Sequence, residues 1–325
     1  MGQTTEKNDK NILFTVVIAV KDRSLELQRA LLSLQNQSYK KFDVVIVDDN
    51  SEENLKLVTE KFKSLKINLI KNLGNGANSA RNIGIEASKG KYICFLDSDD
   101  IFLENKLDYV AKIIGEKEYD VVISSLLVWR NEKSIQKRPN RKPHENEAID
   151  EYFFVSDERM QTTSFIIKRD LCIQVRWNEE LAKIQDPDFI IRILSTKGVS
   201  FKFIEKPLAV LYDLYDPGRI SSNNHSINMK EWLNNESNPL GNKAKKHFEA
   251  TVLSYEIAKE SKAEGLVNLT KDIMNIKFML FLKTLVRMTV SEKIFKQIAN
   301  INQMLLRNNK YETEYNYIKS LENKN

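Results

Sequence analysis

The first 125 residues alternate between runs of β-branched apolar residues and amphipathic runs with a helical period. The apolar runs predict five strands, at Phe14 to Val20, Asp43 to Val47, Ile67 to Ile70, Tyr92 to Leu96 and Asp120 to Ser124. The runs between them predict four helices: one through Leu27 and Leu34 with Ser24 as its cap, and others at Leu55 to Phe62, Ser79 to Ala87 and Lys106 to Ile114. Strands that alternate with helices predict an α/β fold with a mostly parallel sheet.

The pattern changes in the second half of the chain. The polar, basic stretch from Trp129 to His144 predicts a mobile loop, and it is followed by predicted strands at Thr163 to Ile167 and Phe201 to Ile204, with a helix at Pro187 to Leu194 between them. Beyond Asn242 the period is helical, through Ala250 to Ala258, Leu266 to Met288 and Ile294 to Leu306. We therefore expect a domain over residues 1–242, with halves at about 12–125 and 126–242, and a helical extension over 243–325.

Composition agrees with a folded protein in a reducing compartment. The chain of 325 residues is 42% hydrophobic and has ten Gly and six Pro, which excludes collagen-like and disordered classes. Its two cysteines are too few for a disulfide framework. The apolar stretch Phe278 to Leu282 is too short to span a bilayer, and Met1 to Lys10 lacks the apolar core of a secretory signal. These features predict a cytoplasmic protein.

Positive charge is concentrated in the extension. Residues 243–325 carry fifteen Lys and Arg against nine Asp and Glu, whereas the whole chain has a net charge of +5. A nucleic-acid partner is not expected, because the basic residues are neither interleaved with aromatics nor set in a recognised module. Two interpretations remain open: attraction to an anionic membrane surface and a solvated helical face.

Acidic clusters follow two of the predicted strands. Asp48 and Asp49 come after the second strand, and Asp97 to Asp100 follow the fourth. The carboxyl ends of parallel strands meet at one edge of a sheet, so both clusters are expected there. Crowded carboxylates repel unless a cation or hydrogen-bond donors relieve them, and alternate aspartates suit Mg²⁺ or Mn²⁺ shared with phosphates. The competing interpretation is a helix cap.

A glycine-containing loop precedes the third helix. The segment Asn72 to Gly84 has Ser79 where a dinucleotide fingerprint needs its third glycine, and it follows the third strand, not the first. A nicotinamide site is therefore disfavoured. Arg81 on the first turns of the helix could meet the anionic part of a nucleotide. The alternative is a plain glycine loop with a surface arginine.

The order of these motifs resembles that of family 2 inverting glycosyltransferases, which have the GT-A fold. The matching motifs are the first strand ending at Ala19-Val20, Val-Asp-Asp-Asn-Ser at Val47–Ser51, Ala-Arg-Asn-x-Gly at Ala80–Gly84, Asp-x-Asp at Asp97–Asp99, and the regions Trp177–Leu181 and Gln185–Arg192. The resemblance implies a Rossmann-like sheet whose first half binds the nucleotide and whose second half binds the acceptor. It also implies bacterial surface polysaccharide synthesis as the setting.

The resemblance implies a role for each matching residue. Asp49 would accept a hydrogen bond from a uracil-type base, Asp99 would ligate Mn²⁺ or Mg²⁺, and Asp97 would lie by the ribose or the metal. Asp186 would be the general base. The remaining residues expected at the nucleotide are Ala19, Val20, Asp22, Arg81 and Ser98. The implied substrates are a nucleotide-sugar donor, expected to be a UDP-sugar, and a glycan or lipid-linked saccharide acceptor.

The sequence departs from the family pattern at three places. Ala19 and Lys21 stand where relatives usually have Pro and Tyr, which removes an aromatic contact to the base. Gln185 replaces the usual Glu and removes a charge that could raise the pKa of Asp186. Pro187 is expected to hold Asp186 in an extended conformation. Asp186 could also be the cap of the following helix.

The extension matches no motif, and rival functions remain. The helically spaced apolar residues are Ile273, Ile276, Met279, Leu280, Leu282 and Val286. They indicate a packed core or a homodimer face, with peripheral membrane contact as the alternative. The rival functions are a sugar nucleotidyltransferase, which would need a glycine-rich loop after the first strand, and an inactive nucleotide-sugar-binding scaffold.

Overall fold

The computed structural model describes residues 13–131, 134–213, 225–271, 273–290, 294 and 311–323. The strands are β1 (Phe14–Val20), β2 (Phe42–Asp48), β3 (Ile67–Lys71), β4 (Tyr92–Phe95), β5 (Ile101–Phe102), β6 (Val121–Asn131), β7 (Ser134–Arg138), β8 (Phe165–Lys168) and β9 (Phe201–Tyr212). The helices are α1 (Ser24–Gln35), α2 (Leu55–Thr59), α3 (Ala77–Ala87), α4 (Lys106–Glu116), α5 (Ile149–Phe154), α6 (Arg169–Val175), α7 (Gln185–Leu194), α8 (Ser226–Asn234), α9 (Asn242–Phe248), α10 (Ser254–Ala258), α11 (Lys262–Lys271), α12 (Phe278–Thr289) and α13 (Glu312–Glu322).

One sheet runs through the molecule in the order β3-β2-β1-β4-β8-β6-β9-β5, with β7 paired to β6. The first four strands are parallel, and β8 enters antiparallel between β4 and β6. Strand β6 therefore runs in the same direction as β4. The predicted mostly parallel sheet flanked by helices is confirmed.

Both faces of the sheet are buried, as the continuous apolar strands predict. In β2 the residues from Val44 to Val47 are all buried, and they alternate between two apolar layers. The layer under α1, α2 and α4 contains Val44 and Ile46, and the layer that packs against α3, α6 and α7 contains Val45 and Val47. Because both faces of the sheet are buried, the residues available for function lie at the strand ends.

Two predicted boundaries in the second half are wrong. The expected loop from Trp129 to His144 contains strand residues, since β6 continues to Asn131 and pairs with β7 (Ser134–Arg138), with Trp129 opposite Ile135. The basic side chains of β7 are tolerated because β7 is an edge strand. Strand β9 continues past Pro207 to Tyr212, since Pro207 lies where the register shifts between Ser124 and Ser125 and its missing N–H is tolerated.

The helix predictions also need correction. Ser24 is the first residue of α1, and its predicted cap position belongs to Arg23. The helix expected from Leu266 to Met288 is broken between α11 and α12 by a 3₁₀ turn at Ile273–Asn275. A π-helix at Glu249–Leu253 joins α9 to α10. The helix expected at Ile294 to Leu306 lies outside the described residues except for Ile294.

The beginning and the end of the extension pack on the sheet layers. Phe248 at the end of α9 is fully buried, and its ring lies 5.2 Å from that of Phe154 and 5.3 Å from that of Trp232. Helix α13 places Ile318 and Leu321 in a cluster with Trp129 of β6. Within the described parts of the chain, no helix combines the length and apolarity that crossing a membrane requires.

Candidate active site

The predicted nucleotide-binding residues meet at one edge of the sheet. Strands β1, β2 and β4 are neighbours, and Val20 at the end of β1 lies opposite Asp48 at the end of β2. The Asp49 N–H donates to the Val20 carbonyl at 2.8 Å. Ala19 is half-buried and Val20 is buried. The strand ends thus bring together residues that are far apart in sequence.

Asp49 organises the loop before α3. Its buried carboxylate accepts hydrogen bonds from Asn72 Nδ2 at 2.7 Å and from the Gly76 N–H at 2.9 Å. Gly76 has a φ of +89°, a backbone conformation that residues with a Cβ atom rarely adopt. A carboxylate can accept about four hydrogen bonds, so Asp49 retains acceptor capacity beyond these two donors.

Asp22 joins the loops that follow β1 and β2. Its Oδ1 accepts from the Glu52 N–H at 2.6 Å, and its own N–H donates to Ser51 Oγ at 3.0 Å. Asp22 is exposed and has a φ of +46°. Asp22 therefore holds these two loops together, and its expected contact with the nucleotide stays a prediction.

The acidic turn after β4 is held by arginines. Arg23 Nη1 donates to Asp99 Oδ2, and Arg29 Nη2 donates to the Asp99 carbonyl at 2.7 Å. Asp97 accepts from Arg81 Nη2 at 2.8 Å, and Ser98 between the two aspartates is buried. Each carboxylate of the Asp-x-Asp turn therefore has a cationic neighbour.

The three aspartates of this turn differ in what they can bind. Asp100 is buried and accepts from Thr163 Oγ1 at 2.5 Å and from the Tyr212 N–H at 3.1 Å. Burial, with smaller contributions from Asp99 and Asp97, raises the pKa of Asp100 well above its usual range. Hydrogen-bond donors therefore relieve Asp100, and a metal ion is not needed to explain its burial.

Asp97 and Asp99 still fit a metal ion that is shared with a substrate. Their side chains are 31% and 19% exposed. Among the described residues no group of three or more acidic, His or Cys side chains forms a metal cage. Mg²⁺ and similar ions are commonly bound by one or two carboxylates together with phosphate oxygens, and these two aspartates match that ligand set.

Arg81 links the acidic turn to α7. Its buried guanidinium donates to Asn78 Oδ1 and Gln185 Oε1, both at 2.9 Å, and to Asp97 as described above. The guanidinium also lies 4.7 Å from the centre of the Trp177 ring. A rigid, multiply bonded arginine presents a fixed positive charge at the site.

Asp186 lies in the first turn of α7, which contradicts both the alternative that Asp186 is the helix cap and the expectation of an extended backbone. The residue that precedes the helix is Ile184, with a φ of +57°, so Asp186 is not the cap. Its backbone is helical and not extended, because Pro187 occupies the third helical position, where an N–H has no partner within the helix. The side chain of Asp186 faces the neighbouring Thr162.

The carboxylate of Asp186 is held by two hydrogen bonds from Thr162. It accepts from Thr162 Oγ1 and from the Thr162 N–H, the latter at 3.3 Å. Burial and then the Asp97 charge raise its pKa, and Arg81 and the Thr162 hydrogen bonds lower it, with a result of about 6. Such a group is ionised at neutral pH and can still accept a proton efficiently.

Sequence reasoning missed Thr162 and Thr163, which connect the two acidic groups. Thr162 contacts Asp186, and the Oγ1 of the next residue, Thr163, accepts a hydrogen bond from the Asp97 N–H at 3.2 Å. The Thr163 carbonyl accepts a hydrogen bond from Lys106 Nζ at 2.8 Å. Lys106 is fully buried, and burial lowers its pKa to about 7. The local sequence gives no signal, since Lys106 and Thr163 are 57 positions apart.

A cavity of about 450 Å³ opens beside these groups. Arg81, Asp97 and Asp186 are among the residues that line it. The π-helix, α10 and α12, which belong to the C-terminal extension, also contribute lining residues. The volume is sufficient for a saccharide unit, and the candidate base lies on its surface.

Comparison with known proteins gives a consistent picture. Residues 15–188 match the sequence model of glycosyl transferase family 2. The amylovoran biosynthesis glycosyltransferase AmsB of Erwinia amylovora is 35% identical over 212 residues, which are 62% of this chain and 69% of that protein. A GalNAc(5)-diNAcBac-PP-undecaprenol beta-1,3-glucosyltransferase of Campylobacter jejuni is 27% identical over 171 residues, 51% of this chain and 55% of that protein.

Solved structures show the same fold at low identity. S. aureus TarS 1-349 in complex with UDP-GlcNAc aligns with a TM-score of 0.56 and 18% identity, over 95% of this chain and 88% of that chain. The mannosyltransferase PcManGT of Pyrobaculum calidifontis, in complex with GDP-Man and Mn²⁺, aligns with a TM-score of 0.51 and 12% identity, over 96% and 86% of the two chains.

Proposed function

Because the chain belongs to glycosyl transferase family 2 and is a glycosyltransferase, we propose that it is a metal-dependent, inverting enzyme. It moves a sugar from a nucleotide-diphosphate donor, a UDP-sugar, to a hydroxyl group of a glycan or lipid-linked acceptor. The setting is the synthesis of a bacterial surface polysaccharide. The observation that carries the proposal is the carboxylate of Asp186, with its raised pKa, on the wall of a cavity beside Arg81 and Asp97.

The reaction needs a base and no enzyme nucleophile. Asp186 removes the proton from the acceptor hydroxyl as its oxygen attacks the anomeric carbon of the donor sugar. The bond to the nucleotide diphosphate breaks on the opposite face, so a single displacement inverts the anomeric centre. Thr162 orients the carboxylate through its hydroxyl and its N–H.

The leaving group needs positive charge at the strand edge. Arg81 supplies a fixed cation, and Arg23 lies beside Asp99. Asp99, with Asp97, would hold Mn²⁺ or Mg²⁺, which offsets the charge that develops on the departing diphosphate. Asp49 contributes acceptor oxygens for the base, and the fold shared with TarS, which binds UDP-GlcNAc, supports a uridine nucleotide.

Nucleotide binding tests the donor assignment. We expect UDP to bind at least about tenfold more tightly than GDP, ADP or CDP, because a mismatched base leaves buried polar groups without partners. Binding should also require Mn²⁺ or Mg²⁺. Isothermal calorimetry with each nucleotide, with metal and then with EDTA, measures both effects. Equal affinities for all four nucleotides, or affinity unchanged by EDTA, would contradict the proposal.

A membrane surface is the proposed location of the reaction, at the inner face of the cytoplasmic membrane. Exposed large apolar side chains concentrate in the α11–α12 region, at Leu266, Val267, Ile273, Met274, Phe278, Met279 and Leu282. Exposed Lys271 and Lys277 lie in the same stretch. Apolar side chains flanked by lysines are typical of helices that lie on anionic lipid surfaces. The undecaprenol-linked name of the Campylobacter relative supports a lipid-linked acceptor.

Vesicle binding tests this location. The double change Phe278→Ser and Met279→Ser should weaken binding to phosphatidylglycerol-containing vesicles by at least about tenfold, because two apolar side chains no longer enter the lipid. Sedimentation with the vesicles measures it. The matched control is Leu25→Ser with Leu57→Ser, two similarly exposed apolar residues elsewhere. Unchanged sedimentation would contradict the proposal. A dimer that dissociates on mutation would favour a homodimer face and would also contradict it.

A further inference from the structure

Part of the cavity wall is formed by two helical segments of the extension. Leu280, Lys283, Thr284 and Arg287 line the cavity from α12. Their spacing of three and four residues places them on one face of the helix, on the opposite side from exposed Phe278. Thr251, Val252, Tyr255 and Glu256 line it from the π-helix and α10, as two adjacent pairs that are four residues apart. One face of each helical segment therefore lines the cavity.

The π-helix is an independent sign of function in this wall. It spans Glu249–Leu253, and two of its residues, Thr251 and Val252, line the cavity. Short π-helical segments are rare and are frequently found at functional sites. The wall is thus a specialised part of the extension.

The lining of the cavity has an excess of positive charge. Its basic residues are Arg81, Arg159, Lys183, Lys283 and Arg287, and its acidic residues are Asp97, Asp157, Asp186 and Glu256. Lys183 contacts Glu256 at 2.5 Å, Lys283 contacts Asp157, and Arg159 lies 3.6 Å from Asp157. Burial lowers the pKa of Lys183 to about 8 and also lowers the pKa of Lys283. The net charge of the lining is positive, which favours an anionic ligand.

Arg287 is held in place by an aromatic ring. The centre of its guanidinium lies 3.8 Å from the centre of the Tyr255 ring, and both side chains line the cavity. This cation–π contact restrains the guanidinium, and its fork of N–H donors matches a group with two oxygens, such as a carboxylate or a phosphate. A guanidinium positioned in this way loses little entropy when it binds such a group.

We propose that the faces of the π-helix, α10 and α12 form the acceptor site of this enzyme, and that the acceptor is a saccharide with a carboxylate or phosphate group bound by Arg287. The inference rests on the proposed function, since Asp186, which lines the same cavity, is the proposed base for the acceptor hydroxyl. It assigns a role to the part of the extension that matched no sequence motif.

Saccharide binding by NMR titration tests the site, with saturating UDP and Mg²⁺ to fill the donor site. The probes are methyl β-glucuronide, glucose 1-phosphate and methyl β-glucoside. At least one anionic probe should bind about tenfold or more tightly than the neutral glucoside, and Arg287→Gln should remove that preference. Arg287→Lys should retain part of it. The control Arg176→Gln, in an exposed ion pair with Glu86, should retain all of it.

The outcomes separate this inference from the proposed donor. A preference for glucuronide identifies an acidic sugar, and a preference for glucose 1-phosphate identifies a phosphate-bearing acceptor; both support the site. Equal binding of the three probes, binding of none, or a preference that survives Arg287→Gln overturns it. Calorimetry with UDP on the same samples reports the donor site, so absence of UDP binding by the natural chain would count against the proposed function instead.

Discussion

Asp186→Asn is expected to lower sugar transfer by about 10²- to 10⁴-fold, because the amide keeps the shape of the side chain and cannot accept the acceptor's proton. Nucleotide binding should stay nearly unchanged, since Arg81 keeps its bonds to Asp97, Asn78 and Gln185. Initial rates of transfer and calorimetry with UDP and Mn²⁺ measure the two effects. Retained turnover would mean that another group is the base.

The pH dependence follows from the raised pKa of Asp186. Only the ionised carboxylate is a base, so kcat/KM should fall as the pH decreases through about 6. The charges facing this carboxylate are Asp97, which raises its pKa, and Arg81, which lowers it. Thr162→Val removes a donor that stabilises the ionised form, so it should shift the acid limb upward, whereas Thr162→Ser should restore it.

The change Asp186→Asn should not lower the thermal stability of the protein. The pKa of Asp186 is higher in the folded protein than in the unfolded chain, so this group's contribution to stability declines as the pH rises from about 4 to about 6 and stays unfavourable above that range. Asparagine removes the unfavourable charge. At pH 8 the melting temperature of Asp186→Asn should equal or exceed that of the natural chain, and a clear decrease would show a structural role for the carboxylate.

Asp99→Asn is expected to lower turnover by at least about 10²-fold and to remove the metal dependence of UDP binding, because it deletes the carboxylate proposed to hold the ion. Asp99 also pairs with Arg23, so the loss of that ion pair needs its own variant. Arg23→Gln removes the pair and keeps the carboxylate, and it should keep metal-dependent binding. Calorimetry with and without EDTA distinguishes the two variants.

A matched control makes the Asp99 result interpretable. Asp108→Asn changes an aspartate on α4 that pairs with exposed Lys112 and has no proposed role in the cleft, and it should leave UDP binding and turnover unchanged. If Arg23→Gln reproduced the whole loss seen in Asp99→Asn, the role of Asp99 would be to hold Arg23, and the metal assignment would be wrong.

The strand ends could be located from the sequence, and they contain most of the site. Continuous apolar runs such as Val44 to Val47 predicted strands buried on both faces, and the acidic residues that follow them were expected at one edge. The structure agrees, with Val20 opposite Asp48 in β1 and β2. The prediction succeeded because each strand and its last residue are a local pattern.

The errors came where distant residues decide the local structure. The basic residues of β7 have the composition of a loop, and their pairing with β6 makes them a strand. Pro187 was expected to hold Asp186 in an extended conformation, but α7 begins at Gln185 and contains both residues. Asp100 resembles a metal ligand until Thr163 and the backbone of β9 satisfy its carboxylate. In each case the partner lies in another element, which periodicity does not report.

The amino-acid sequence by itself determined the order of strands and helices, the family resemblance and the acidic residues at the strand ends, because periodicity and motif order are properties of neighbouring residues. Only the tertiary structure decided which carboxylates remain accessible, why the pKa of Asp186 is raised, and which helices close the cavity. Those properties depend on burial and on contacts between residues such as Lys106 and Thr163, and folding alone brings such residues together.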